Sequence, residues 1–113
     1  MAGARRDQDA APPELDRLIH EPARLAIMAN LFVVDSADFV FLLNRTRLTN
    51  GNLSSHMSKI EAAGYVEVTK EFVDRKPRTM YRLTRRGRAA FNSYRQALLS
   101  RLEAAEGEPG TEP

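Results

Sequence analysis

At Gly64 the spacing of apolar residues changes from helical to alternating, and at Thr84 it changes back. Few folds accommodate that order in one short chain. Before Gly64, Leu15, Leu18 and Ile19 predict a short first helix after Pro13, and Pro22 opens a second whose buried stripe is Leu25, Met28, Leu31 and Phe32. Ser36 is placed to cap a third helix, with Asp38 near its positive end and Phe39, Leu42 and Leu43 turned inward. Arg45-Thr46-Arg47 makes the next turn. Thr49 and Gly64 then bound a helix of about four turns, with Leu53, Met57 and Ile60 on its packed face.

Beyond Gly64 the alternation puts Val66, Val68 and Phe72 on one side of a strand. Asp74 to Thr79 supplies the turn, where Pro77 restricts the loop, and the return strand points Tyr81 and Leu83 inward. Thr84 caps a final helix carrying Phe91, Tyr94, Leu98 and Leu102. Helices, a turn, a further helix and a β-hairpin, in that order, describe a mainly α fold with a small β-hairpin (α+β), the winged helix-turn-helix.

With 113 residues there is room for one domain, expected over 13–104 and flanked by disordered tails at 1–12 and 105–113, the second of them acidic. The absence of cysteine excludes disulfides and thiolate metal sites. Its most apolar stretch, Leu25 to Leu43, is interrupted by Asn30, Asp35 and Asp38, so no membrane span is expected. Without a signal-peptide pattern at its start, the chain reads as cytoplasmic.

Net charge is +2, yet its distribution is uneven. Between Arg45 and Arg88 eleven basic residues face four acids, a local +7, and the rest of the chain carries −5. Such asymmetry is the electrostatic footprint of nucleic-acid binding, though a basic face also serves simply to stay solvated. The stretch TNGNLSSH, from Thr49 to His56, crowds weak helix formers into a helix start and brings no acid to its positive end. A phosphate suits that end. Asn50, Asn52, Ser54, Ser55 and Ser58 offer donors and acceptors to base edges, and Gly51 permits close backbone approach. The competing explanation is a solvated face with Gly51 packed on the preceding helix.

Arg45, Arg47 and Lys59 are placed to hold phosphates around that face. Arg75, Lys76 and Arg78 make the hairpin tip basic, fit to track a backbone or enter a minor groove, although charged tips also keep sheet edges soluble. Arg85, Arg86 and Arg88 sit unfavourably at the positive end of the last helix, offset either by Asp74 or Glu71 or by phosphate.

The last helix, spanning roughly 30 Å from 85 to 104, exceeds what a small core covers. Phe91, Tyr94, Leu98 and Leu102, joined by Leu15 and Leu18, are therefore the expected homodimer contacts, the alternative being a helix folded back on its own chain. His20 and His56 have no companions in sequence for a metal site, and no cofactor is implied. No nucleophile elbow or phosphate loop is present, and Ser54, Ser55 and His56 point in different directions on a helix, so no catalytic residues are assigned.

LTNGNLSSHMSKIEAAGYVEV and RKPRTMYRLTRRGRAAF resemble the small winged-helix regulators near the MarR and ArsR families, over about residues 14 to 102. The resemblance implies that the helix matching 50 to 63 enters the major groove of double-stranded DNA. It also implies that the wing matching 73 to 79 meets the backbone or minor groove, and that terminal helices form a homodimer on a two-fold symmetric site. Metal-sensing ArsR relatives carry Cys or His clusters that this chain lacks, and the extensions that form drug pockets in full-sized MarR proteins are shortened. The sequence names no small-molecule effector, target site or direction of regulation. The alternative function is a winged-helix module that binds another protein and not DNA.

Overall fold

The computed structural model describes residues 14–106. Four helices, α1 (Pro22–Phe32), α2 (Phe39–Thr46), α3 (Asn50–Ala62) and α4 (Arg85–Glu106), enclose the core with three strands, β1 (Ala37–Asp38), β2 (Val66–Val73) and β3 (Lys76–Leu83). The sheet is antiparallel in the order β1-β3-β2, with Val66 opposite Leu83, Val68 opposite Tyr81, and Ala37 also opposite Tyr81 on the other edge. Ile19, Ile27, Met28, Leu31, Leu42, Leu53 and Ile60 are fully buried, so every helix through α3 and the turn before α1 contributes to one core.

Local chemistry sets the boundaries. Pro22 begins α1, where its missing N–H costs nothing, and the Glu21 side chain accepts from Arg24 N–H at 2.8 Å. α3 ends in a Schellman motif: Gly64 adopts φ 81°, its N–H reaches Glu61 O at 2.9 Å, and Tyr65 N–H reaches Ile60 O at 3.2 Å.

Several expectations change. No helix forms among residues 14–21; Asp16 instead accepts from the N–H groups of Leu18 and Ile19, making a turn that inserts Ile19 into the core. Ser36 does not cap α2. Residues 37 and 38 are extended and paired to β3, which delays the helix, and Asp38 becomes the cap by accepting from Phe41 N–H at 2.8 Å.

Hairpin strands run longer than expected, so the turn shrinks to Asp74 and Arg75, at φ 53° and 67°, and Pro77 lies within β3 opposite Phe72. Phe72 is not inward: it is 78% exposed, because the hairpin outruns the core. α4 continues to Glu106, whereas the expected tail at 1–12 and the part of the second beyond 106 lie outside the described residues.

Candidate nucleic-acid interface

α3 divides sharply. Leu53, Met57 and Ile60 are buried, while Asn50, Gly51, Asn52, Ser54, Ser55, Ser58 and Lys59 are exposed. Thr49 Oγ1 accepts from Asn52 N–H at 3.1 Å, and no acid occupies the first turn. A Cβ built on Gly51 would meet nothing within 4 Å. Gly51 therefore does not pack on the preceding helix. With its positive end uncompensated and its backbone open, this turn has the features an anion or a base edge requires.

The arginines separate into two kinds. Arg45, in the last turn of α2, and Arg47, which takes the left-handed conformation that ends it, are exposed; Arg45 donates to Asn30 Oδ1 at 3.3 Å and lies 5.3 Å from the Phe41 ring centre. Arg75 and Lys76 are exposed at the wing tip. Arg78 instead donates to Asp38 Oδ2 at 2.8 Å, binding β3 to the start of α2 and neutralising its charge locally. Arg88 is turned inward: its guanidinium donates to Phe32 O at 3.1 Å and Val34 O at 3.3 Å and lies over the Phe32 ring. Backbone carbonyls, not Asp74, Glu71 or phosphate, account for Arg88. Lys70, exposed on β2, joins the exposed cations, and its place in the alternation Val66, Val68, Lys70 puts it on the same face of the wing as those valines.

Each histidine ties two separate segments together. His56 Nδ1 lies 3.1 Å from Arg24 Nη1 and 4.0 Å from Glu21 Oε1; arginine only donates, so in the bond to Arg24 it is Nδ1 that accepts. Arg24 also donates to Leu18 O at 2.6 Å, joining α3 to the turn before α1. The Glu21 carboxyl is held below its ordinary range chiefly by accepting Arg24 N–H. His20 Nδ1 lies 2.8 Å from Tyr94 Oη.

Behind α3, Tyr65 is a junction. Its O–H donates to Asp16 Oδ2 at 2.5 Å, and burial, helped by that bond, pushes its phenol up to about 12. Its carbonyl accepts from Thr84 N–H at 3.0 Å, and a Cβ on Gly87 would fall 2.1 Å from the same oxygen. Thr84 caps α4 through Gly87 N–H at 2.9 Å. Only glycine lets α4 start there.

The expected dimer residues also separate. Phe91 and Tyr94 belong to the chain's own core, the Phe91 ring centre 4.9 Å from that of Phe32. Leu15 and Leu18 are half-buried against that core. Leu98 is half-buried, and Leu99 and Leu102, 55% and 54% exposed, edge an apolar groove of about 400 Å³ that also reaches Leu25. Among the described residues no helix is long and apolar enough to cross a membrane.

Helices, hairpin and an exposed polar face at these positions define the winged-helix class, and the model of the winged helix DNA-binding domain family matches residues 23–102. The chain belongs to that family. An uncharacterized protein of Methanocaldococcus jannaschii is 32% identical over 78 residues, covering 69% of this chain and 85% of that protein. The structure of a transcriptional regulator homologue protein from Pyrococcus horikoshii OT3 is similar at 30% identity and a TM-score of 0.75, over 80% of this chain and 89% of the other. A MarR-family transcriptional regulator from Silicibacter pomeroyi shares the fold, with a TM-score of 0.58 at 22% identity, over 86% and 63% of the two chains. The chain thus shares its fold with a MarR-family regulator, and its kinship is with winged helix DNA-binding domains.

Proposed function

We propose that the protein is a sequence-specific, double-stranded DNA-binding transcriptional regulator that acts as a cytoplasmic homodimer. The observation that carries this reading is the acid-free, exposed first turn of α3, with open space at Gly51, beside a wing tip bearing Arg75 and Lys76. α3 enters the major groove, where Asn50, Asn52, Ser54, Ser55 and Ser58 face base edges and Arg45, Arg47 and Lys59 hold phosphates. Arg75 and Lys76 follow the backbone or minor groove, while Arg78 holds the wing to α2 through Asp38.

Leu98, Leu99 and Leu102 join two copies, which sets two reading helices in successive major grooves about 34 Å apart. Selection of bound sites from random duplexes is expected to return a two-fold symmetric sequence, bound with steep salt dependence. Absence of duplex binding at low salt would move the domain to the protein-binding class. Sedimentation of Leu98→Glu combined with Leu102→Glu tests the assembly: a folded monomer with weak, unspecific DNA attachment is expected, and a persistent dimer refutes this interface.

A further inference from the structure

The wing carries an apolar pair that the fold itself does not use. Val66, Val68, Lys70 and Phe72 occupy one face of β2, and their partners on β3 are Leu83, Tyr81, Thr79 and Pro77. Val66, Tyr81 and Leu83 on this face are buried in the core that also holds Leu53, Met57 and Ile60 of α3. Phe72 lies four residues beyond Val68, about 13 Å farther along the strand, and is left 78% exposed opposite Pro77. The same face thus runs from the core beneath α3 out into solvent.

Acid on the paired strands is confined to one face. Among these eight positions on β2 and β3 there is no acid, and Lys70 is the charged residue; Glu67 and Glu71 stand on the opposite face, together with Arg82, Arg78 and, at the tip end, Lys76. At the tip, Arg75 and Lys76 accompany Asp74. An aromatic and a proline bordered by Lys70, Arg75 and Lys76 match a groove whose rims are phosphate and whose walls are sugar. The side chain, unlike a helix, is narrow enough for a groove about 6 Å wide.

We propose that Phe72 and Pro77 form an apolar ridge seated against the deoxyribose walls of the DNA minor groove flanking the α3 site, with Lys70 joining Arg75 and Lys76 on the adjacent phosphates. This assignment rests on the DNA-binding reading and extends it to contacts that carry no charge.

An uncharged contact has a signature distinct from a phosphate contact: its loss lowers affinity without releasing fewer counterions. Binding of Phe72→Ala and Phe72→Leu to a duplex selected by the wild type is measured by fluorescence anisotropy across a salt series. Phe72→Ala is expected to bind about tenfold more weakly at every salt concentration with an unchanged log–log slope, and Phe72→Leu to stay within about threefold of wild type. Thermal melts of both variants should match wild type, since the side chain is exposed. An alanine variant within about twofold of wild type overturns the ridge and points Phe72 toward another partner, such as a protein. A slope reduced by about one unit overturns it too, because the loss would then run through the cations. A wild-type protein that binds no duplex defeats the DNA reading itself, an outcome distinct from a DNA-binding protein indifferent to Phe72.

Discussion

Arg78 on β3 and Arg88 on α4 serve the protein itself, one held by Asp38 and the other by the carbonyls of Phe32 and Val34, whereas at the wing tip Arg75 and Lys76 stand exposed beside Phe72. In sequence these four cations look alike. The base of the wing is a joint: Tyr65 O receives Thr84 N–H, Thr84 Oγ1 donates to Gly64 O at 2.6 Å, and Gly87 passes beneath Tyr65 with no room for a methyl group. The tip has no such framework beyond its own strand pairing. Charge near a binding face therefore does not define the face; a cation with carbonyl or carboxylate partners fixes geometry, and an exposed one is available to a ligand.

The contrast is easiest to break at Gly87. Gly87→Ala drives a methyl group into the Tyr65 carbonyl and should destabilise the fold by about 3 kcal/mol or more, read by urea or thermal melts. Arg88→Met keeps much of the side-chain volume but leaves two carbonyls without their donor, and is expected to lose about 1 to 3 kcal/mol in the same assay. Gly51→Ala has the opposite sign. With nothing within 4 Å of the new methyl, the helix should gain about 0.5 to 1 kcal/mol while DNA affinity falls, and a destabilised variant would mean that the open space is misassigned.

The smallest effect on stability belongs to the tip. Arg75→Ala combined with Lys76→Ala should shift stability by no more than about 0.5 kcal/mol. Its salt slope for duplex binding should nevertheless fall by about two units. If that variant melts early with an unchanged slope, tip and base exchange roles.

What the sequence made legible follows the range of the forces involved. Thr49, Gly64 and Thr84 mark their boundaries by bonds to residues a few positions away, and the spacing of Leu53, Met57 and Ile60 is a property of one helix. The exposed polar face of α3 was legible for the same reason. β1 was not: two residues have no pattern of their own, and only pairing with Tyr81 and Met80 makes them a strand. Its formation also displaced the expected cap from Ser36 to Asp38. Alternation assigned Phe72 to the correct face, but it carries no information about where the core stops. The partners of Arg78 and Arg88 lie 40 to 56 residues away in sequence, beyond any local signal.

The root of α4 has a mechanical consequence. Leu99 and Leu102 project from a rod seated on the core from Gly87 to Ala97, so a repacking that shifts this seat swings the rod as a lever with its fulcrum at the Tyr65 carbonyl. A tilt of about 5° at Gly87 displaces the far end of α4 by about 2.5 Å at a rise of about 1.5 Å per residue. In a dimer joined through those leucines, the separation of the two reading helices is consequently calibrated at the fulcrum. Substitutions that leave the leucines intact but retilt α4 should alter the preferred spacing between half-sites and leave the preferred bases unchanged.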